Sequence, residues 1–164
     1  MDESGRRLVV VTGGARGIGR AIALQLAGLG DHVVVTDIDQ DQAQATATAA
    51  SGLAGQASAF HLDVRDRNGF EALVAQVENE IGPIDVLVNN AGIMPIGPFE
   101  EMEAGLEQAQ FDINVRGVLN GLHAILPRMR VRASGHVINM ASLAGRVPLP
   151  HGAVYSSAKF AVVG

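Results

Sequence analysis

The sequence predicts a doubly wound α/β fold, one parallel sheet with helices on both faces. Two observations point there. Short apolar, β-branched runs, such as Leu8-Val9-Val10-Val11 and His32-Val33-Val34-Val35-Thr36, alternate with segments whose apolar residues recur at helical spacing. The first of these runs also passes directly into a glycine-rich turn and then a helical pattern, in the order strand, turn, helix. Such alternation requires right-handed crossovers, which make the strands parallel and cover the sheet on both sides.

Each element has its own signal. After the first strand, Ile18, Ala21, Ile22, Gln25, Leu26 and Leu29 mark one helix face, and Gly30 closes it. The second strand ends in Asp37, and 39–50 reads as a polar, alanine-rich helix with a weak apolar face. Ser58 to Leu62 forms a third strand that ends in Asp63-Val64. Phe70, Leu73, Val74, Val77 and Ile81 define the next helix, stopped by Gly82-Pro83. Ile84 to Val88 is the fourth strand, Glu103 to Arg130 one long helical stretch, and His136 to Met140 the fifth strand. No repeat, low-complexity tract or linker divides residues 1–164, which read as a single domain.

Composition narrows the function. In 164 residues, 48% are hydrophobic and 18% charged, ample apolar material for one core. A net charge of -5 argues against nucleic acid or an anionic membrane surface as partner. The absence of cysteine removes disulfides, thiolate nucleophiles and thiolate-ligated zinc. No apolar run approaches ~18 residues, so no membrane span is expected, and Met1 to Arg7 does not resemble a signal peptide. A cytoplasmic protein is the expectation. The histidines His32, His61, His123, His136 and His151 are scattered without an H-x-x-x-H pair, so solvated or capping roles and no metal site are expected. His151 alone lies close enough in sequence to Tyr155 to line a substrate mouth.

The turn Thr12-Gly13-Gly14-Ala15-Arg16-Gly17-Ile18-Gly19 has the properties of a phosphate cradle. Its glycines let the backbone approach a pyrophosphate, whose charge meets free N–H groups at the following helix N-terminus. The spacing G-x-x-x-G-x-G is not G-x-G-x-x-G, and no Lys-Ser/Thr follows, which argues against a P-loop NTPase. Asp37 lies about 20 residues beyond, where a dinucleotide site needs an acceptor for the adenosine ribose hydroxyls. A carboxylate there repels a 2′-phosphate, so NAD(H) is expected over NADP(H). Arg16 pulls the other way, because a guanidinium can reach such a phosphate. Near the other end, Tyr155 and Lys159 stand four apart, which stacks both on one helix face. A phenol ionises near pH ~10 in water, and a fixed ammonium beside it favours the phenolate. Tyr155 is the only tyrosine.

In order, Thr12-Gly13-x-x-x-Gly17-Ile18-Gly19, Asp63-Val64, Asn89-Asn90-Ala91-Gly92, Asn114, Ser142 and Tyr155-x-x-x-Lys159 resemble the short-chain dehydrogenase/reductase family, from about Arg7 to Gly164. The resemblance implies a Rossmann-like dinucleotide-binding domain and an oxidoreductase that interconverts a secondary alcohol and a ketone by hydride transfer. Gly13, Arg16, Gly17, Ile18, Gly19 and Asp37 would hold the cofactor's phosphates and ribose. Asp63 and Val64 would receive adenine, through a carboxylate that accepts from the amine and a backbone N–H that donates to the ring. Asn90, Ala91 and Gly92 would lie against the adenosine ribose. Asn114, Ser142, Tyr155 and Lys159 would be catalytic: Ser142 bonds the substrate oxygen, and Tyr155 moves its proton. Lys159 holds the nicotinamide ribose and lowers the phenol's pKa, while the Asn114 side chain holds a relay water. The loops Ile93 to Phe99 and Leu143 to Pro150 suit a small apolar alcohol or ketone. Family members commonly form dimers or tetramers, so a homo-oligomer is expected.

The family's pattern continues past Lys159 with a sixth strand, a substrate loop and a seventh strand. Against that pattern the domain is expected to be incomplete at its C-terminus, with a stability and turnover below those of a full-length relative. The alternative is a non-catalytic dinucleotide-binding remnant or interaction module.

Overall fold

The computed structural model describes residues 5–164; the Met1 to Ser4 part of the N-terminal segment lies outside the described residues. Five parallel strands form one sheet: β1 (Leu8–Thr12), β2 (His32–Asp37), β3 (Gln56–His61), β4 (Val86–Asn89) and β5 (His136–Asn139), in the order β3-β2-β1-β4-β5. Between them run α1 (Gly17–Gly28), α2 (Gln40–Ala49), α3 (Arg67–Glu80), α4 (Ala104–Phe111) and α5 (Gly117–Val131), with α6 (Ala153–Val163) after β5. This is the doubly wound arrangement that the alternating pattern requires.

Alternate residues of each strand feed opposite faces. Leu8, Val10, Val34 and Leu87 meet Phe70, Val74 and Val77 of α3 and Ile125 and Met129 of α5. Val9, Val11, Val33, Val35 and Val88 meet Ala23 and Ala27 of α1 and Ala43 of α2. The two faces therefore differ in side-chain size: alanines of α1 and α2 cover one, whereas Phe70 and Met129 fill the other. Each fully buried valine contributes about 1.5–3 kcal/mol relative to exposure.

Register places the functional edge. Thr12 pairs with Thr36, Val11 with Val88 and Asn89 with Asn139, so the C-terminal ends of all strands share one edge. The connections leave β1 toward β2 on one side and reach β4 on the other, which opens a crevice beyond Thr12 and Asn89.

Three sequence expectations are corrected. The stretch from Glu103 to Arg130 is not one regular helix: a π-turn at Asp112–Arg116 separates α4 from α5. Its extra residue accommodates Asn114, whose carboxamide is held by the backbone of Ile93. His32 is not solvated, since it is buried and its Nε2 lies 3.0 Å from Ser58 Oγ on β3. Strand limits also move: β3 begins at Gln56, and β4 runs from Val86 to Asn89, because ladder pairing and not apolar content sets the ends. No helix among the described residues is long and apolar enough to cross a membrane.

Candidate active site

The turn after β1 folds tightly for identifiable reasons. Gly13 has φ +65°, and a Cβ there would stand 2.8 Å from Ala91 Cα; a Cβ on Gly19 would collide with the Gly13 carbonyl oxygen. Gly17, by contrast, has φ +54° and nothing within 4 Å of where its Cβ would be. The loop is thus pressed against β4's end on one side and open on the other. No side chain caps α1, and its first turn carries no acidic residue. Its leading N–H groups have no partner within the helix and, with the helix dipole, favour an anion.

The loop is stitched to its neighbours by side chains. Thr12 Oγ1 accepts the backbone N–H groups of Asn90 and Ala91, each at 3.0 Å. Asn90 Nδ2 donates to the carbonyls of Thr12 (2.8 Å) and Gly13 (3.2 Å). Asp37 Oδ2 accepts from Ala15 N–H at 3.1 Å, and its Oδ1 from Asp39 N–H at 3.1 Å. Each Asp37 oxygen keeps a lone pair for another donor.

One cavity of about 610 Å³ joins these parts. Asp37 and Ile38 line one end, with Asp63, Val64 and Arg65 beside them; Gly13 and the segment 16–19 form the floor, and 90–94 the far wall. Met140, Ala141, Tyr155 and Lys159 close the other end. Every residue that the sequence nominated for the cofactor, Gly13 through Lys159, lies on this lining.

Lys159 sits in the turn of α6 after Tyr155, 6% exposed, and its Nζ stands 5.8 Å from the Tyr155 ring centroid. That ammonium donates to the Met140 carbonyl at 2.7 Å. Burial pushes its pKa below the ordinary value of 10.5. The Lys159 ammonium is thus held at the cavity wall by a strand-end carbonyl.

The two remaining nominated residues do not line the cavity. Ser142 is half-buried at the start of the 3₁₀ turn Leu143–Gly145, where its Oγ accepts from Ala144 N–H at 3.2 Å. Its hydroxyl hydrogen remains available to donate. Asn114 is 0% exposed; its Nδ2 donates to Ile93 O and its Oδ1 accepts from Ile93 N–H, both at 2.9 Å. Only one amide hydrogen and one lone pair are left for any water. The structure therefore makes the Asn114 side chain first a clamp on the Ile93 loop.

Sequence reasoning did not nominate Arg65 or Asn120. Asn120 Nδ2 donates to the carbonyls of Val64 (2.8 Å) and Arg65 (3.2 Å), which fixes the turn after β3. Arg65 forms a fork on Asp63, which holds that carboxyl below the usual carboxylate range. The signal available was a guanidinium two residues after a nominated carboxylate. Among the described residues no group of three or more His, Asp or Glu is placed to hold a metal ion.

The family model described as short chain dehydrogenase matches residues 7–164. The chain belongs to the short-chain dehydrogenase family. Among its similar relatives, 2,3-dihydro-2,3-dihydroxybenzoate dehydrogenase of Bacillus subtilis is 34% identical over 157 residues, 96% of this chain and 60% of the relative. The ketoacyl reductase HetN of Nostoc is 36% identical over 96% of this chain and 55% of its own length. Levodione reductase superposes with a TM-score of 0.91 at 35% identity, covering 96% of this chain and 62% of that one. A metagenomic short-chain oxidoreductase in complex with NADP does so at 0.90, 35% and 72%. The chain thus spans about 60% of the length of the first of these curated relatives.

The lining fits a dinucleotide. An uncapped helix start faces an open, positive-φ glycine, and a carboxylate with free lone pairs ends the neighbouring strand.

Proposed function

We propose that the protein is an NAD(P)-dependent oxidoreductase that interconverts a secondary alcohol and a ketone, with Tyr155 as acid/base. The observation that carries this reading is the single cavity running from Asp37 past the glycine turn to Tyr155 and Lys159. When bound, the dinucleotide supplies or receives the hydride at the Tyr155 end. The N–H groups of Gly17, Ile18 and Gly19 hold the pyrophosphate, Arg16 supports it, and Asp37 accepts the adenosine ribose hydroxyls. Asp63 and Val64 take the adenine edge, and Asn90, Ala91 and Gly92 pack against the ribose.

The chain's own groups then handle the substrate oxygen. Ser142 Oγ–H donates to it and stabilises developing charge. Tyr155 accepts the hydroxyl proton in oxidation and returns it in reduction. Lys159 holds the nicotinamide ribose and favours the phenolate by its charge. Asn114 fixes the Ile93 loop and, through its spare hydrogen and lone pair, holds a water behind Lys159. Met94, Ile96 and Leu143, all exposed, suit an apolar alcohol or ketone. Asp37 favours NAD(H) over NADP(H), with Arg16 as the opposing group.

The same reading takes residues 1–164 as one Rossmann-like dinucleotide-binding domain. The apolar groove along Leu119, Leu122, Leu126 and Val131 of α5 supports a homo-oligomer. A second reading, dinucleotide binding without turnover, is supported by the openness of the substrate end, where Leu143 is 72% exposed. Turnover of a secondary alcohol with NAD, assayed alongside NADH titration, separates the two. Binding with no turnover selects the second, and absence of both refutes the dinucleotide reading.

A further inference from the structure

Arg65 stands where the base of a dinucleotide would arrive. Its Nε lies 2.9 Å from Asp63 Oδ1 and 3.0 Å from Oδ2, its Nη2 lies 2.6 Å from Oδ2, and its backbone N–H donates to Oδ1 at 3.0 Å. An ionised carboxylate offers about four lone-pair sites. Three hydrogens make these four contacts, the single Nε–H being shared by both oxygens, so the guanidinium lies across the carboxylate edge that an incoming amine would use.

A second place for the guanidinium adjoins the first. Arg65 also lines a groove with Gln108, Asp112 and Arg116. The charge of Asp112 acts on Arg65 after that of Asp63. Asp112 is bound by Arg116 through one oxygen only, Nε to Oδ1 at 3.2 Å, which leaves Oδ2 for another donor. Meanwhile Asn120 pins the carbonyls of Val64 and Arg65, so the side chain can swing while the backbone stays fixed. The fork is partly solvated, with side-chain exposures of 46% for Arg65 and 27% for Asp63. Exposed ion pairs of this kind are easily exchanged.

We propose that Arg65 is a latch over the base end of the cofactor site: the exocyclic amine of adenine displaces its guanidinium from Asp63, and the guanidinium turns to Asp112. This rests on the dinucleotide reading above and adds a specificity-determining residue to it. Opening the latch draws on binding energy from the base, so Arg65 weakens adenine-bearing ligands selectively.

Calorimetric titration with two probes tests this. ADP-ribose carries the base; reduced nicotinamide mononucleotide lacks it, and because both carry phosphate, their ratio cancels any general attraction of a cation for the ligand. In Arg65→Met, ADP-ribose binds about two- to fivefold more tightly, the range for an exposed pair, and the mononucleotide is unchanged. Asp112→Asn weakens ADP-ribose about twofold in the native background and has no effect beside Arg65→Met, because parking matters only when there is a latch to park. Equal or weaker ADP-ribose binding in Arg65→Met relative to the mononucleotide, or an Asp112→Asn effect that persists there, overturns the latch. Failure of the native chain to bind either probe removes the dinucleotide reading and the latch together. Binding by the native chain with no gain in Arg65→Met removes the latch alone.

Discussion

The centre of the sheet and its β5 edge are built differently. In β1 every residue is buried, and in β2 every residue but Asp37, whereas β5 leaves only Val137 partly covered. The same contrast runs through the loops. The glycine turn is held by Thr12, Asn90 and Asp37 through several short hydrogen bonds, while Met94, Ile96, Leu143 and Val147 remain exposed around the substrate end. Under the proposed function the strand ends would position the cofactor groups, while the catalytic groups would depend on fewer anchors: the Lys159 bond to Met140 O and the Asn114 clamp on Ile93. If the proposed function holds, the difference gives binding and turnover separable structural supports.

The sharpest way to break that separation is Tyr155→Phe. Turnover should fall by about 10²–10⁴-fold, the worth of a positioned acid/base group, with NADH affinity nearly unchanged. Retained turnover would exclude the phenol. Stability should show the same asymmetry. Phe70→Ala, at a fully buried ring under the sheet, should cost about 3–5 kcal/mol in denaturant unfolding. Ile138→Ala on β5, at a side chain 48% exposed, should cost a small fraction of that. Comparable losses would mean that β5 is as firmly built as the centre.

The pattern of strands and glycine motif was readable because local chemistry and global fold agree there. Valine runs buried on both faces need no alternation, and a strand–glycine turn–helix order leaves few options. The His32–Ser58 contact and the π-turn around Asn114 were not readable. Each depends on which neighbour the fold brings near: Ser58 reaches His32 only through the β2–β3 register, and Ile93 meets Asn114 only because the loop folds back on the π-turn between α4 and α5.

Lys159 gives a pH test. Burial lowers its pKa, so the folded state disfavours the ammonium, and the cost is present below the folded pKa. Between the folded value and 10.5 the unfolded chain binds more protons, so stability contributed by this group rises with pH. Cofactor binding, if it uses the ammonium as proposed, should do the opposite and decline with an alkaline midpoint below 10.5. A guanidinium stays charged throughout, so Lys159→Arg should remove that limb from NADH titrations across pH. An unchanged limb would assign it to another group.

The smallest effect concerns cofactor choice. Asp37→Asn should narrow the preference for NADH over NADPH by about tenfold, the worth of roughly 1.4 kcal/mol of charge repulsion. An amide has one acceptor oxygen, so only one of the Ala15 and Asp39 N–H bonds is kept, and the unfolding midpoint of the variant should be measured beside its affinities. Equal affinities in the native chain would shift the weight to Arg16.

Read alone, the sequence determined the layer architecture, the place of the phosphate turn and most of the residues that ring the cavity. Those follow from short-range rules: two-sided burial of β-branched strands, glycines where the backbone must turn, helical spacing that stacks Tyr155 on Lys159. Tertiary structure alone decided how those residues are employed. It committed the Asn114 carboxamide to Ile93 and seated the Lys159 ammonium on Met140 O. A hydrogen bond needs its partners within about 3 Å, and the fold, by bringing distant segments to one sheet edge, selects which of many possible partners meet.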